Sequence, residues 1–263
     1  MNKNAKIYIT VLTVITILVI LAGIYIHVFR PVSGFFSGLG RDGSFGENVT
    51  DTISVDEEVT AVSVDVDAAE ISVKSGEETS VKYNMPSNLV PKVSVEDGVL
   101  KVTSKVKHNV DFHFFGSREY RIDIVVKRGT ALEDISFIAD AGDISIDEIE
   151  TKDMSIDADA GDIEMEAIKA DKISIKTDAG NIELGNSKIG TYDIDSDAGN
   201  VEVDDSTIKE FRVKVDAGNV EVENSTVDGG SVETDMGNIS LSGKIGDVAT
   251  KTDFGHVDFD RDN

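Results

Sequence analysis

Asp-Ala-Gly-Asp or Asp-Ala-Gly-Asn begins at Asp140, Asp159, Asp178, Asp197 and Asp216, each start 19 residues after the last. Asp235-Met236-Gly237-Asn238 follows 19 residues later, and Asp253-Phe254-Gly255-His256 after 18 more. Carboxylates in this number could do two kinds of chemistry. As hard oxygen donors they suit Ca2+, and clustered with calcium they serve polysaccharide cleavage on some β-helices. A catalytic site, however, is a singular constellation, whereas these carboxylates recur in every copy. The sequence also holds no phosphate-binding glycine loop, no histidine-based metal spacing and no nucleophile elbow. The chain therefore reads as a non-enzyme with no catalytic residue and no cofactor. Ca2+ held between copies stays open, although calcium-binding nonapeptide repeats carry a denser glycine pattern.

A second set of candidates follows the motif. Each copy continues apolar-polar-apolar, as in Ile144-Ser145-Ile146, Ile163-Glu164-Met165, Ile182-Glu183-Leu184 and Val201-Glu202-Val203. A period of two describes a strand with one buried face. The polar position then points outward and carries Ser145, Glu164, Glu183, Glu202, Glu221, Ser240 and Asp258. Four successive copies stack Glu on Glu, with Asp147, Glu166, Asp204 and Glu223 beside them. Glu164, Glu183, Glu202 and Glu221 could form a binding strip for a cationic protein, a basic peptide or a cell-wall component bridged by divalent cations. The plainer reading is a solvated acidic face.

These residues need elements to position them. A second alternation precedes each motif, with Ile135/Phe137, Met154/Ile156, Ile173/Ile175, Tyr192/Ile194 and Phe211/Val213 inward. Each 19-residue unit thus reads as strand, turn, strand, turn, its apolar side chains meeting between two sheets. One unit cannot bury its apolar face, but stacked units make a continuous core. The motif supplies the corner. Asp140, Asp159, Asp178, Asp197, Asp216, Asp235 and Asp253 can bond backbone amides two residues on. Gly142, Gly161, Gly180, Gly199, Gly218, Gly237 and Gly255 can supply a positive φ. The expected fold is all-β, a β-solenoid of stacked 19-residue coils preceded by one N-terminal transmembrane helix. Regular repeats fill 131–260. Residues 50–130 alternate without the strict period and read as irregular opening coils, the two together making a solenoid domain over 50–263.

Lys plus Arg number 25 against 50 acidic residues, a formal net charge of −25. Such a polyanion repels nucleic acid and anionic headgroups and favours cationic partners. There is no cysteine, which excludes disulfides and thiolate sites. From Ile7 to Phe29 no residue is charged, long enough for a helical membrane span. Lys3 and Lys6 precede it, which places 1–6 as a cytoplasmic tail and the bulk of the chain outside the cell membrane. A Gly/Ser-rich tether covers 30–49. Further on, Phe112, Phe114 and Phe115 crowd a non-repetitive stretch that reads as a hairpin or a docking patch.

The Asp-x-Gly-[Asp/Asn]-[Ile/Val]-x-apolar repeat, introduced by Ile122-Asp123-Ile124-Val125-Val126-Lys127-Arg128-Gly129-Thr130, resembles the bacterial putative-adhesin domain family. Arg128 stands where that family usually has proline. With a single N-terminal anchor, the whole is similar to membrane-anchored members encoded with cell-envelope stress systems of Gram-positive bacteria. The resemblance implies a solenoid, a binding or structural role at the envelope, or an accessory part in stress-response signalling. It transfers no catalytic residues.

Overall fold

The computed structural model describes residues 47–105 and 120–261. The span expected at 7–29, the tail before it, the tether up to residue 46 and Phe112, Phe114 and Phe115 lie outside them. Among the described residues every regular element is a strand, and no helix is long and apolar enough to cross a membrane.

The repeat region starts with β8 (Ala131–Ala141), an 11-residue strand, and β9 (Ile144–Asp147), a 4-residue one. The same long-short pair returns as β10 (Glu150–Ala160) and β11 (Ile163–Glu166), β12 (Lys169–Ala179) and β13 (Ile182–Gly185), and β14 (Lys188–Ala198) and β15 (Val201–Asp204). β16 (Thr207–Ala217) is the next long strand, after which short and long parts fuse into β17 (Val220–Met236) and β18 (Ile239–Phe254), before β19 (Val257–Arg261). Every strand lies parallel to its counterpart one coil away, in register with the sequence period: Ile163 faces Ile182, and Tyr192 faces Phe211. The result is a β-solenoid of about seven turns.

The inward residues of one coil are Ile182, Leu184, Ser187, Ile189, Tyr192, Ile194 and Ser196, all buried. Their alternation breaks at Gly185-Asn186, at Gly190-Thr191 and across Asp197–Asn200, where successive residues face away from the core. A break in a period of two turns the chain through a corner, so each coil has three runs. This corrects the expectation of two facing sheets: a single 19-stranded sheet wraps round the core. The missed run carries Leu132, Thr151, Ala170, Ile189, Ile208 and Val227, all buried.

The opening strands are β1 (Asn48–Ser54), β2 (Ala61–Ala68), β3 (Glu70–Gly76), β4 (Ser80–Pro86), β5 (Lys92–Glu96), β6 (Val99–Ser104) and β7 (Arg121–Lys127). β2 and β3 stack parallel on β8 and β9, and β6 and β7 stack parallel outside them. The outermost pairings then turn antiparallel, β5 on β6, β4 on β7 and β1 on β4. The solenoid therefore begins under an antiparallel cover, which protects its first edge.

Candidate functional site

The short strands carry the acidic face. Parallel register sets Ser145, Glu164, Glu183, Glu202, Glu221, Ser240 and Asp258 in one outward column. Neighbours in such a column are ~4.8 Å apart. The adjoining column holds Asp147, Glu166, Gly185, Asp204 and Glu223. The glutamate column contains no basic residue, and the adjoining one meets Lys74 only beside Asp147, at its first end. The carboxyl of Glu183 is raised above its usual value, by partial burial first and then by Glu202, Glu164 and Asp162. Beside it a shallow groove of about 220 Å³ is lined by Glu202, Val203, Asp204, Glu221 and Glu223. All four glutamates of the expected strip thus share one face.

The corner motif places its two carboxylate positions differently. The fourth residue binds the next coil: Oδ1 of Asp143, Asp162, Asn181, Asn200 and Asn219 accepts the backbone N–H of the residue 19 positions on, at 2.8 to 3.1 Å. Asn238 closes the ladder on His256 at 3.0 Å. The sequence reading gave the amide-binding role to the motif's first Asp, within its own turn. Among the described residues the ladder belongs to the fourth residue instead, which can reach across because parallel coils bring identical corners together.

The first aspartates end the long strands. Two residues before them, register builds a column of alternating sign: Asp157, Lys176, Asp195, Lys214, Glu233, Lys251. Lys214 reaches Asp195 at 3.8 Å and the motif's Asp216 at 3.2 Å, and Lys251 pairs with Glu233 and with Asp253 at 3.7 Å. At the other end Lys105 bridges Asp65 and Asp67 at 2.6 and 2.7 Å. The Asp140 carboxyl nearby is raised, by burial first and then by Asp67, with Lys105 opposing. Among the described residues no group of three or more His, Asp or Glu is arranged to hold a metal ion.

The glycines do more than turn the chain. Gly142, Gly161, Gly180 and Gly199 have φ between 124° and 148°, as the corner reading requires, but Gly218, Gly237 and Gly255 do not occupy that region. All seven are crowded by the coil beneath. A Cβ on Gly180 would lie 1.9 Å from the Gly161 carbonyl oxygen, and one on Gly218 1.8 Å from that of Gly199. Coil stacking is thus the reason common to the series.

Sequence reasoning missed two features. At the corner after each short strand Glu148, Ala167, Asn186, Asp205 and Asn224 are left-handed, with φ between 47° and 56°. Five different neighbourhoods of side-chain type hid that position, although its Asn and Asp content was a signal. The second is a groove of about 320 Å³ on another run, whose lining includes Lys152, Lys169, Lys188 and Lys209. Lys152 pairs with Glu133 at 2.6 Å and Lys169 with Glu150. Lys152 and Lys209 share one phase of the period and Lys169 and Lys188 another, but Asp171 and Gly190 interrupt the first column and Glu150 and Thr207 flank the second, so neither reads as an unbroken basic row.

The family profile described as Toastrack DUF4097 matches residues 59–254. No curated protein matches the chain. Among solved structures, a putative adhesin from Bacteroides fragilis is similar at a TM-score of 0.59 and 16% identity, covering 84% of this chain and 100% of its own. A putative lipid binding protein from Parabacteroides distasonis is similar at 0.55 and 15%, covering 83% and 98%. A putative adhesin from Parabacteroides distasonis is similar at 0.50 and 16%, covering 81% and 97%. At these identities the likeness is one of fold.

Proposed function

The chain belongs to the Toastrack DUF4097 family, and from that premise we propose that it is a non-catalytic binding module whose acidic face docks a cationic partner at the cell envelope. One observation carries the proposal: Glu164, Glu183, Glu202 and Glu221 stand in uninterrupted register. Two unit charges at this spacing repel by about 0.9 kcal/mol in water before screening. A row of bound cationic groups relieves the contacts of the column together, so the column favours an extended basic peptide or protein surface, or divalent cations bridging to an anionic wall polymer. The uncharged run from Ile7 to Phe29 would hold the solenoid on the membrane with its bulk outside.

The test is thermal melting of the full chain in detergent, followed by circular dichroism. Millimolar Ca2+ or a cationic peptide should raise Tm more than NaCl of matched ionic strength. Glu183→Gln with Glu202→Gln should raise Tm without ligand and remove the additional effect. If NaCl does as much, the face is only solvated. The accessory stress-signalling role implied by the family resemblance is a separate proposal. Replacing residues 7–29 by an unrelated span should leave adhesion intact and abolish regulation through the membrane.

A further inference from the structure

The two ends of the solenoid differ. The first is covered by antiparallel strands, whereas at the last, Lys244–Asp253 of β18 pairs only with β17, and β19 pairs only with β18 over Ile239–Gly243. Among the described residues no strand lies on the outer edge of either. The edge turns a corner at Gly246-Asp247, and the run beyond it, Asp247–Asp253, presents a row of backbone donors and acceptors ready for another strand. Two further observations fall at the same end. The second motif position, alanine at Ala141, Ala160, Ala179, Ala198 and Ala217, becomes Met236 and Phe254, each 57% exposed. The core column ends on Val257 and Phe259, which are only partly buried.

We propose that this end docks a second copy of the chain, edge to edge about a two-fold axis through Ala249. The argument is self-complementarity. A two-fold axis runs the two β18 edges antiparallel, and through Ala249 it sets Asp247 opposite Lys251 of the mate, twice. Asp247, Ala249 and Lys251 all face outward, while Val248 is buried and Thr250 half-buried on the inner side. Inward residues therefore meet inward ones and outward meet outward, which a one-residue slip would invert. Opposite charges directly across an antiparallel pair are favourable. Asp247 has no ion pair within its own chain among the described residues, while Lys251 holds only carboxylates of its own chain, Glu233 and Asp253. An unrelated peptide could use the same backbone edge, but only a second copy supplies this reciprocal charge pairing, and an isologous contact of this kind closes as a dimer.

The chain has no cysteine, so a single introduced one reports one position. The full chain bearing Ala249→Cys, purified in detergent, should give a covalent dimer with a short bis-maleimide. Ser155→Cys, exposed in mid-solenoid, should not. On the Ala249→Cys background Lys251→Asp should lower the dimer yield several-fold, and adding Asp247→Lys should restore it, although Glu233 then still lacks its lysine. Ala249→Cys protein that keeps its β-sheet dichroism yet crosslinks no better than Ser155→Cys overturns the proposal. So does a swap that restores nothing. Crosslinking in membranes to a different protein overturns it too and assigns the edge to another partner.

Discussion

Asn200 Oδ1 accepts the backbone N–H of Asn219 at 3.0 Å, one coil away. The bond is one rung of a side-chain ladder that runs beside the backbone ladder of the sheet. Replacing Asn200 by Ala leaves a corner amide to solvent and should cost about 0.5–1.5 kcal/mol. Asn200→Asp keeps the acceptor, as Asp143 and Asp162 do in the earlier coils, and should cost less. Equal Tm losses for the two variants would show that the rung contributes nothing beyond side-chain size.

Ala167 is left-handed at φ 56°, where the coils on its C-terminal side place Asn186, Asp205 and Asn224. An L-residue without a local polar partner is strained there by roughly 1–2 kcal/mol. Ala167→Asn should therefore raise the stability of the protein by about 0.5–1 kcal/mol, read as a Tm increase. A drop in Tm would place the strain elsewhere.

Two buried hydroxyls should respond differently to removal. Ser206 Oγ accepts the N–H of Ser187 at 3.0 Å and donates to the Asp204 carbonyl at 2.8 Å. Ser206→Ala orphans a buried amide and should destabilise by about 1–3 kcal/mol. Tyr192 is fully buried with no partner for its hydroxyl, its ring stacked on Phe211 at 5.9 Å. Tyr192→Phe keeps the ring and should be neutral or stabilising. Denaturant midpoints decide both.

Gly218→Ala tests crowding against backbone strain, since Gly218 is outside the left-handed region. A Cβ 1.8 Å from the Gly199 oxygen forces the coils apart, and the loss should be about 2 kcal/mol or more, within the range of overpacked cores. A silent substitution would return the glycine requirement to torsion alone.

The carboxyls of Glu183, Asp134 and Asp140 are all raised, by burial first and then by Glu202, Asp153 and Asp67 respectively. A raised carboxyl binds its proton more tightly folded than unfolded. Stability from these groups is thus gained as pH falls through their folded values and is complete below the ordinary values of 4.5 and 3.8. As pH falls from neutrality toward these ordinary values the Tm should rise, and Glu183→Gln should flatten the slope. Glu96, held down by Lys101, acts in the opposite direction. A Tm that falls steadily over this range would count against a strained acidic face.

The column Ile144, Ile163, Ile182, Val201, Val220 and Ile239 was legible because one strict period fixed both its spacing and its side, and all six are buried. The glutamate strip was legible for the same reason. The third run was not, because Thr151, Ala170 and Ser187 interrupt its apolar signal, and the corners on either side shift its phase. Ser187 and Ser206 are buried polar residues that no apolar period marks, held inside by bonds across coils. The single 18-residue coil marked its own position: register shifts between Val222 and Ser225, where Glu223 and Asn224 stand against Ser242 alone, and Gly243 takes a φ of 116°.

Because each coil touches only the coils above and below, length is a free variable of this architecture. Removing Gly180–Ala198 joins Ala179 to Gly199, leaves Asp162 to receive Asn200, and brings Glu164 against Glu202. The shortened chain keeps the corner ladder and the apolar columns, although Lys176 then meets Lys214 where Asp195 had separated them, so it should fold with one turn fewer at a small electrostatic cost. Duplicating the same unit should lengthen it. The acidic face is in that sense a graduated scale, whose reach along the axis changes in increments of ~4.8 Å.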